Sequence, residues 1–145
     1  MCDRHHDVRS PAPPMLAIAV HPGSRTTRFI PGSGEFSVSL LHDSQQALAS
    51  AAGKSAAGLD KFAALNIPVL GPPGNQTAPG VAGSIAVLWC RVAGSEPTGD
   101  HLLLIGEVVA HHLAAEQQGA LLRYRRRYMR SGSWTSEESP EGYPT

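Results

Sequence analysis

Cysteine, charge and long apolar runs are all scarce in this chain, and each scarcity removes a class of protein. There are two cysteines in 145 residues. Cys2 sits in a polar start and Cys90 inside an apolar run, so no disulfide framework is expected and a reducing cytoplasm is. Charged residues make up 17% of the chain, and Lys+Arg 12 balances Asp+Glu 12. No overall field therefore draws the protein to nucleic acid or to an anionic membrane. No apolar run nears the roughly 20 residues that span a bilayer. The start Met1-Cys2-Asp3-Arg4-His5-His6 lacks the apolar stretch of a secretory signal. His5-His6 and His111-His112 are adjacent pairs without ligand spacing, and neighbours on a strand face opposite sides, so no metal is expected.

Turn formers are abundant instead, with Gly 15 and Pro 12. They point to many short elements and to β over a helix bundle. Residues 1–9 read as a polar segment, 10–130 as one domain and 131–145 as a flexible tail. Met15 to His21 is an apolar run stopped by Pro22-Gly23, which predicts a buried strand. The hydroxyls of Ser24, Thr26 and Thr27 follow and predict one helical turn, ended by Pro31-Gly32. Phe36, Val38 and Leu40 alternate with Ser37 and Ser39, the period of a strand with one buried face.

His42-Asp43-Ser44 offers a cap for an Ala-rich helix over Gln45 to Ala52, closed by Gly53. A second short helix is expected over Gly58 to Leu65, with Phe62 buried and the Asp60 and Lys61 charges outward. A long turn-rich loop runs from there to about Gly83. Ile85 to Val92 and His101 to Ala110 should pair as an antiparallel hairpin across a loop at Ala93 to Asp100. Such an order lacks the strand–helix alternation of a doubly wound sheet, and a small barrel with helices outside it fits better.

Four places carry chemistry. Ser24, Thr26 and Thr27 beside the free N–H groups of a helix start suit an anionic phosphate, with charge from Arg25 or Arg28; an ordinary helix cap explains the same residues. His101 opens a strand after a Gly-Asp turn, and the residues alone favour a surface or turn histidine over a functional one. Lys54 and Ser55 follow the Ala-rich helix and read as solvated. Arg123, Arg125, Arg126 and Arg127, with Tyr124 and Tyr128 between and after them, could stack on nucleic acid, but the cluster is short and the rest of the chain is neutral.

Taken in order, Pro13-Pro14-Met15-Leu16, Ser24-Arg25-Thr26-Thr27, Gly34 to Leu41, Asp60-Lys61-Phe62, and Gly99-Asp100-His101 with Ile105-Gly106-Glu107-Val108 resemble the flavin-reductase-like family of FMN-binding split barrels. The resemblance covers about residues 10–128. It implies a mainly β fold, a split β-barrel with short peripheral helices. It also implies an NAD(P)H-dependent flavin reductase that passes hydride from NADH or NADPH to FMN or FAD. Further implications are a homodimer and a separate monooxygenase that receives the reduced flavin.

On this resemblance Ser24, Arg25, Thr26 and Thr27 hold the flavin phosphate, and His101 lies near the nicotinamide. Tyr128 packs near the cofactor or the dimer seam, and Lys54 and Ser55 border the flavin. Family members carry a further stretch before the Pro-Pro strand, with the first barrel strands and a polar motif that contacts the flavin. About ten polar residues stand there in this chain. The expectation is a member shortened at its N-terminus, with a catalytically impaired, flavin-binding homologue as the alternative.

Overall fold

A long antiparallel hairpin forms the spine of the molecule, in a computed structural model that describes residues 13–54, 60–115 and 119–131. The polar segment 1–9, Ser55 and the tail from 132 onward lie outside the described residues. In chain order the elements are β1 (Met15–Val20), α1 (Arg25–Ser33), β2 (Glu35–Leu40), a single 3₁₀ turn (Asp43–Gln45), α2 (Gln46–Gly53) and α3 (Lys61–Ala64). There follow β3 (Val69–Leu70), β4 (Gly80–Val81), β5 (Ala86–Thr98), β6 (His101–Leu113), β7 (Leu121–Tyr124) and β8 (Arg127–Arg130). The main sheet has the order β1-β6-β5-β2, while β3-β4 and β7-β8 are separate pairs.

Register decides what meets what. β1 pairs along the first half of β6, from Val20 opposite Leu102 to Met15 opposite Glu107. β2 pairs along the first half of β5, from Leu40 opposite Ala86 to Glu35 opposite Arg91. The two outer strands thus grip opposite halves of the β5–β6 hairpin. Register shifts at Trp89/Cys90 and Val92/Gly94 mark its middle, and such bulges bend a long strand pair.

Ile30, Phe36, Cys90 and Leu104 form the buried cluster between α1 and one face of the sheet. Gly106 makes that packing possible: a Cβ there would stand 2.6 Å from Phe36 Cζ and 2.9 Å from Cys90 Cβ. Burial pushes the Cys90 thiol above its usual range, and it remains a free cysteine. On the opposite face Val87 and Trp89 are also buried. They lie beneath the segment 77–81, to which Trp89 Nε1 donates at the Ala78 carbonyl, 2.9 Å.

Several expectations are corrected. β1 is not buried on both faces: Leu16, Ile18 and Val20 are half-buried, but Met15, Ala17 and Ala19 are exposed, as an edge strand allows. α1 does not stop at Pro31-Gly32. Proline removes one N–H, and the helix ends two residues later, where Gly34 at φ 68 donates to the Ile30 carbonyl at 2.7 Å. Ile30, 4% exposed, anchors this last turn in the core.

The loop expected at Ala93 to Asp100 is strand as far as Thr98, with Gly99 and Asp100 alone in the turn. Beyond Arg91 the outer side of β5 has no β2 beside it, and such an edge tolerates Gly94 and Pro97. Phe62 is half-buried rather than buried. Lys61 turns inward enough for Nζ to donate to the Ala52 carbonyl at the end of α2, 2.6 Å. The long loop before Gly83 contains the β3–β4 pair, and the arginine-rich end folds as the β7–β8 hairpin.

Candidate functional site

Where β1 ends, the chain turns through His21, Pro22 and Gly23 into the start of α1. His21 Nδ1 accepts from Gly23 N at 3.1 Å, and Ser24 N donates to the His21 carbonyl at 2.9 Å. Ser24 caps the helix in an extended conformation, its Oγ accepting from Thr27 N at 3.4 Å. Thr27 Oγ1 lies 2.6 Å from the Ser24 carbonyl oxygen and 2.7 Å from that of Pro22. Its one proton serves those carbonyls. Ser24 and Thr27 thus brace the turn, while the exposed Thr26 looks into a groove. The N–H groups of the first helical turn have no partner within the helix, as at any helix start. The Arg25 guanidinium lies 5.3 Å from the Phe29 ring centre.

His101 reaches the same end of the sheet through register. Because Val20 pairs with Leu102, the His101 and His21 rings meet edge to face, 6.1 Å apart. His101 Nδ1 lies 2.7 Å from Asp100 Oδ1. An ionised carboxylate only accepts, so Nδ1 carries the proton of this bond and Nε2 takes no part in it. The His101 hydrogen bond, and secondarily its charge, hold the Asp100 carboxyl below the usual range.

Tyr128 lies elsewhere. Its ring sits beneath the Arg123 guanidinium at 5.6 Å, in a hairpin joined to the far end of β2 by Leu121 N donating to the Leu41 carbonyl at 2.9 Å. Asp43 N donates to the Gly119 carbonyl at 2.9 Å, and Arg130 Nε approaches Asp43 Oδ2 at 3.6 Å. The span of β5 from Ala86 to Thr98 separates this end from His101, about 40 Å of strand path at ~3.3 Å per residue. One chain thus brings Ser24, Arg25, Thr26 and Thr27 together with His101, and leaves Tyr128 apart. Lys54 is exposed just past α2, its N–H bonded to the Ala51 carbonyl.

The groove beside Thr26 has a volume of about 510 Å³, within the range of small-ligand sites. Thr26, Phe29, Ile30 and Ser33 form its first wall, a spacing that sets them on one face of α1. Glu35, Ser37 and Ser39 of β2 make the floor, and residues 77–81 the second wall, with Phe62 also lining it. That second wall is pinned by side chains at alternate positions. Glu35 Oε2 accepts from both Thr77 N and Thr77 Oγ1 at 2.9 Å. Ser37 Oγ donates to the Pro79 carbonyl at 2.6 Å, and Val81 N donates to Ser39 Oγ at 3.0 Å.

The bond from Thr77 N, then that from its hydroxyl, holds the Glu35 carboxyl below the usual carboxylate range; Arg91 adds a smaller push and burial opposes it. Sequence reasoning missed Phe29, Glu35, Thr77 and the neighbour His21. The alternation at Ser37 and Ser39 was the available signal, but it reads as a solvent face until the segment 42 positions away is laid on it.

The flavin reductase like domain is the family whose model matches this chain, over residues 9–132. The flavin reductase (NADH) of Kitasatospora aureofaciens is 31% identical over 140 residues, 90% of this chain and 65% of that protein. The chain thus spans less than two thirds of that relative. The reductase component of 4-hydroxyphenylacetate 3-monooxygenase from Thermus thermophilus is 34% identical over 125 residues, 86% of this chain and 72% of that one. Among solved structures, the NADH:FAD oxidoreductase of Streptomyces globisporus superposes with a TM-score of 0.76 at 24% identity, covering 86% of this chain and 72% of that one. That likeness is one of fold, a mainly β flavin-reductase split barrel with short helices outside the sheet. Ordered motifs, fold and a match that encloses all of the described residues agree that the chain belongs to the flavin reductase like domain family.

Proposed function

We propose that the chain is an NAD(P)H:flavin oxidoreductase that reduces FMN or FAD and passes the product to a separate flavin-dependent monooxygenase. The observation that carries this reading is the β1–β6 register, which gathers the start of α1 and His101 at one end of the sheet. An anionic phosphate fits the first: the N–H groups of the opening turn lack partners inside the helix, the exposed Thr26 hydroxyl stands beside them, Arg25 belongs to the same turn, and the helix dipole favours a negative group. When bound, the flavin supplies the ring that accepts hydride from a reduced nicotinamide.

The protein's part is alignment, since hydride transfer between two cofactors needs no side-chain acid or base. Asp100 fixes the His101 ring through Nδ1 and leaves Nε2 to orient the nicotinamide carboxamide. Ser24 and Thr27 hold the turn rigid so that Thr26 and the helix N–H groups keep their aim. The distance between Tyr128 and His101 along the sheet supports a homodimer in which Tyr128 serves the flavin of the other copy. The monooxygenase follows from the Thermus relative, itself a reductase component. None of the described helices is long and apolar enough to cross a membrane, which agrees with a cytoplasmic enzyme.

Mixing the purified protein with FMN or FAD and NADH tests this directly. Loss of NADH absorbance with bleaching of the flavin under nitrogen is expected. A flavin spectrum that shifts on binding without NADH oxidation would select the impaired homologue, and no shift with no thermal protection would end the proposal. Thr26→Ala should weaken flavin binding by about tenfold, the scale of one charge-assisted hydrogen bond. His101→Ala should lower kcat/KM for NADH by about tenfold, the scale of ~1.4 kcal/mol, with flavin affinity unchanged.

A further inference from the structure

His101 opens its strand on a weak footing. Asp100 selects the tautomer through Nδ1, but its side chain stands 91% exposed in a two-residue turn, and that of His101 is itself 44% exposed. A bond between two surface groups competes with water and holds little. It settles which nitrogen carries the proton without settling where the ring stands. Register supplies a second contact. β1 and β6 pair from Met15 opposite Glu107 to Val20 opposite Leu102, so the next position on each side sets His21 across from His101. Residues directly opposite on an antiparallel pair stand close enough for their side chains to meet. The two imidazoles do so at 6.1 Å and 84°, the edge-to-face arrangement that aromatic rings prefer.

His21, unlike Asp100, is anchored. Its Nδ1 accepts from Gly23 N at 3.1 Å, which leaves the ring proton on Nε2. Its carbonyl accepts from Ser24 N at 2.9 Å. Gly23 belongs to this hold: a Cβ there would stand 3.3 Å from His21 Nδ1 and 3.4 Å from Cε1, so a glycine lets its N–H approach the ring without crowding it. The same turn runs on into the Ser24 cap and the bonds from Thr27 Oγ1 to the Pro22 and Ser24 carbonyls. One edge of His21 is thus fastened to the turn that starts α1, while the ring lies against His101.

We infer that His21 is the positioning residue of His101: it carries the rigidity of the α1 turn across the strand pair and fixes the ring that meets the nicotinamide. The inference rests on the reductase reading, in which the α1 start receives the flavin phosphate and His101 the nicotinamide. Hydride transfer requires the two sites to be aligned with each other. One side chain then ties them together, in addition to the sheet.

Two substitutions separate the ring from the acceptor. His21→Asn keeps an oxygen for Gly23 N, as in an Asx turn, and removes the ring. His21→Phe keeps a ring against His101 and removes the acceptor. In the flavin-free protein, NMR couplings across the His101 χ1 bond should report one rotamer in wild type, averaging in His21→Asn and one rotamer again in His21→Phe. With flavin saturating, His21→Asn should lower kcat/KM for NADH by about fivefold, the upper scale of a cross-strand pair, and His21→Phe should stay within about twofold of wild type. The flavin Kd of His21→Asn should move by less than about twofold, because the turn keeps its bond. A single rotamer retained in His21→Asn, or a Phe variant no faster than the Asn variant, overturns the positioning role and leaves the reductase reading intact. Equal loss of flavin binding and NADH use in His21→Asn also overturns it, and assigns His21 to the turn alone. Wild type that oxidises no NADH overturns the reductase reading, and the inference falls with it.

Discussion

Two hairpins close with two-residue turns, and the sequence treats them in opposite ways. The β5–β6 turn places Gly99 at φ 60, a residue that adopts this conformation without strain, as the tight turns between twisted strands require. The β7–β8 turn places Arg125 at φ 47 and Arg126 at φ 66, the two positive angles of a type I′ turn usually filled by Asn-Gly. The long pair combines this fitting turn with β1 and β2 laid along its outer sides. The short pair, four residues on each side, is held instead where it joins the body of the protein: Leu121 to Leu41, Gly119 to Asp43, and Arg130 to Asp43. Local turn chemistry therefore sets the first hairpin, and docking overrides it in the second.

The comparison can be broken most forcefully in the long hairpin. Gly106→Ala drives a methyl group against Phe36 and Cys90 and should cost about 1–3 kcal/mol, the range of overpacked cores, as a lower denaturation midpoint at unchanged slope. Exchanging the turn residues sharpens it. Gly99→Ala should destabilise by about 1 kcal/mol, whereas Arg125→Asn with Arg126→Gly should stabilise by about the same amount, from the strain of left-handed L-residues. Thermal melts of the two variants should therefore move in opposite directions, by about 2–4 °C each.

The smallest effect is electrostatic. Asp100 is depressed by its bond to His101, so the stabilisation it provides is present above the unfolded carboxyl value near ~3.9 and disappears as pH falls through the lower folded one. A carboxyl NMR titration of Asp100 should show a midpoint below the ordinary value. In His101→Ala that midpoint should return toward it.

Much of the frame was legible because local signals and tertiary demands agreed. The β5 and β6 apolar runs and the Ser24 cap fold as their patterns predict, whereas in β2 Phe36 is buried as expected but Leu40 is exposed, and Ser37 and Ser39 lie half-buried against residues 77–81. Composition misled where an element lies at an edge. Gly94 and Pro97 look like loop residues and sit in a strand whose outer side has lost its neighbour. The Arg125-Arg126 turn carried no turn signature, because arginine is not chosen for positive φ. At the site, the cap and His101 could be picked out singly, but their meeting depends on β1 lying beside β6. The groove was invisible, since Glu35 finds Thr77 across 42 positions of sequence.

The three fastenings from Glu35, Ser37 and Ser39 to Thr77, Pro79 and Val81 share one constant offset. They work like buttons: the cloth between them can be cut longer or shorter without moving the seam. Insertions or deletions in the intervening chain would leave the wall of the groove in register so long as those three side chains and their acceptors and donors survive. Lineages that keep Phe62 could then diverge elsewhere in the chain between while inheriting the same binding cleft.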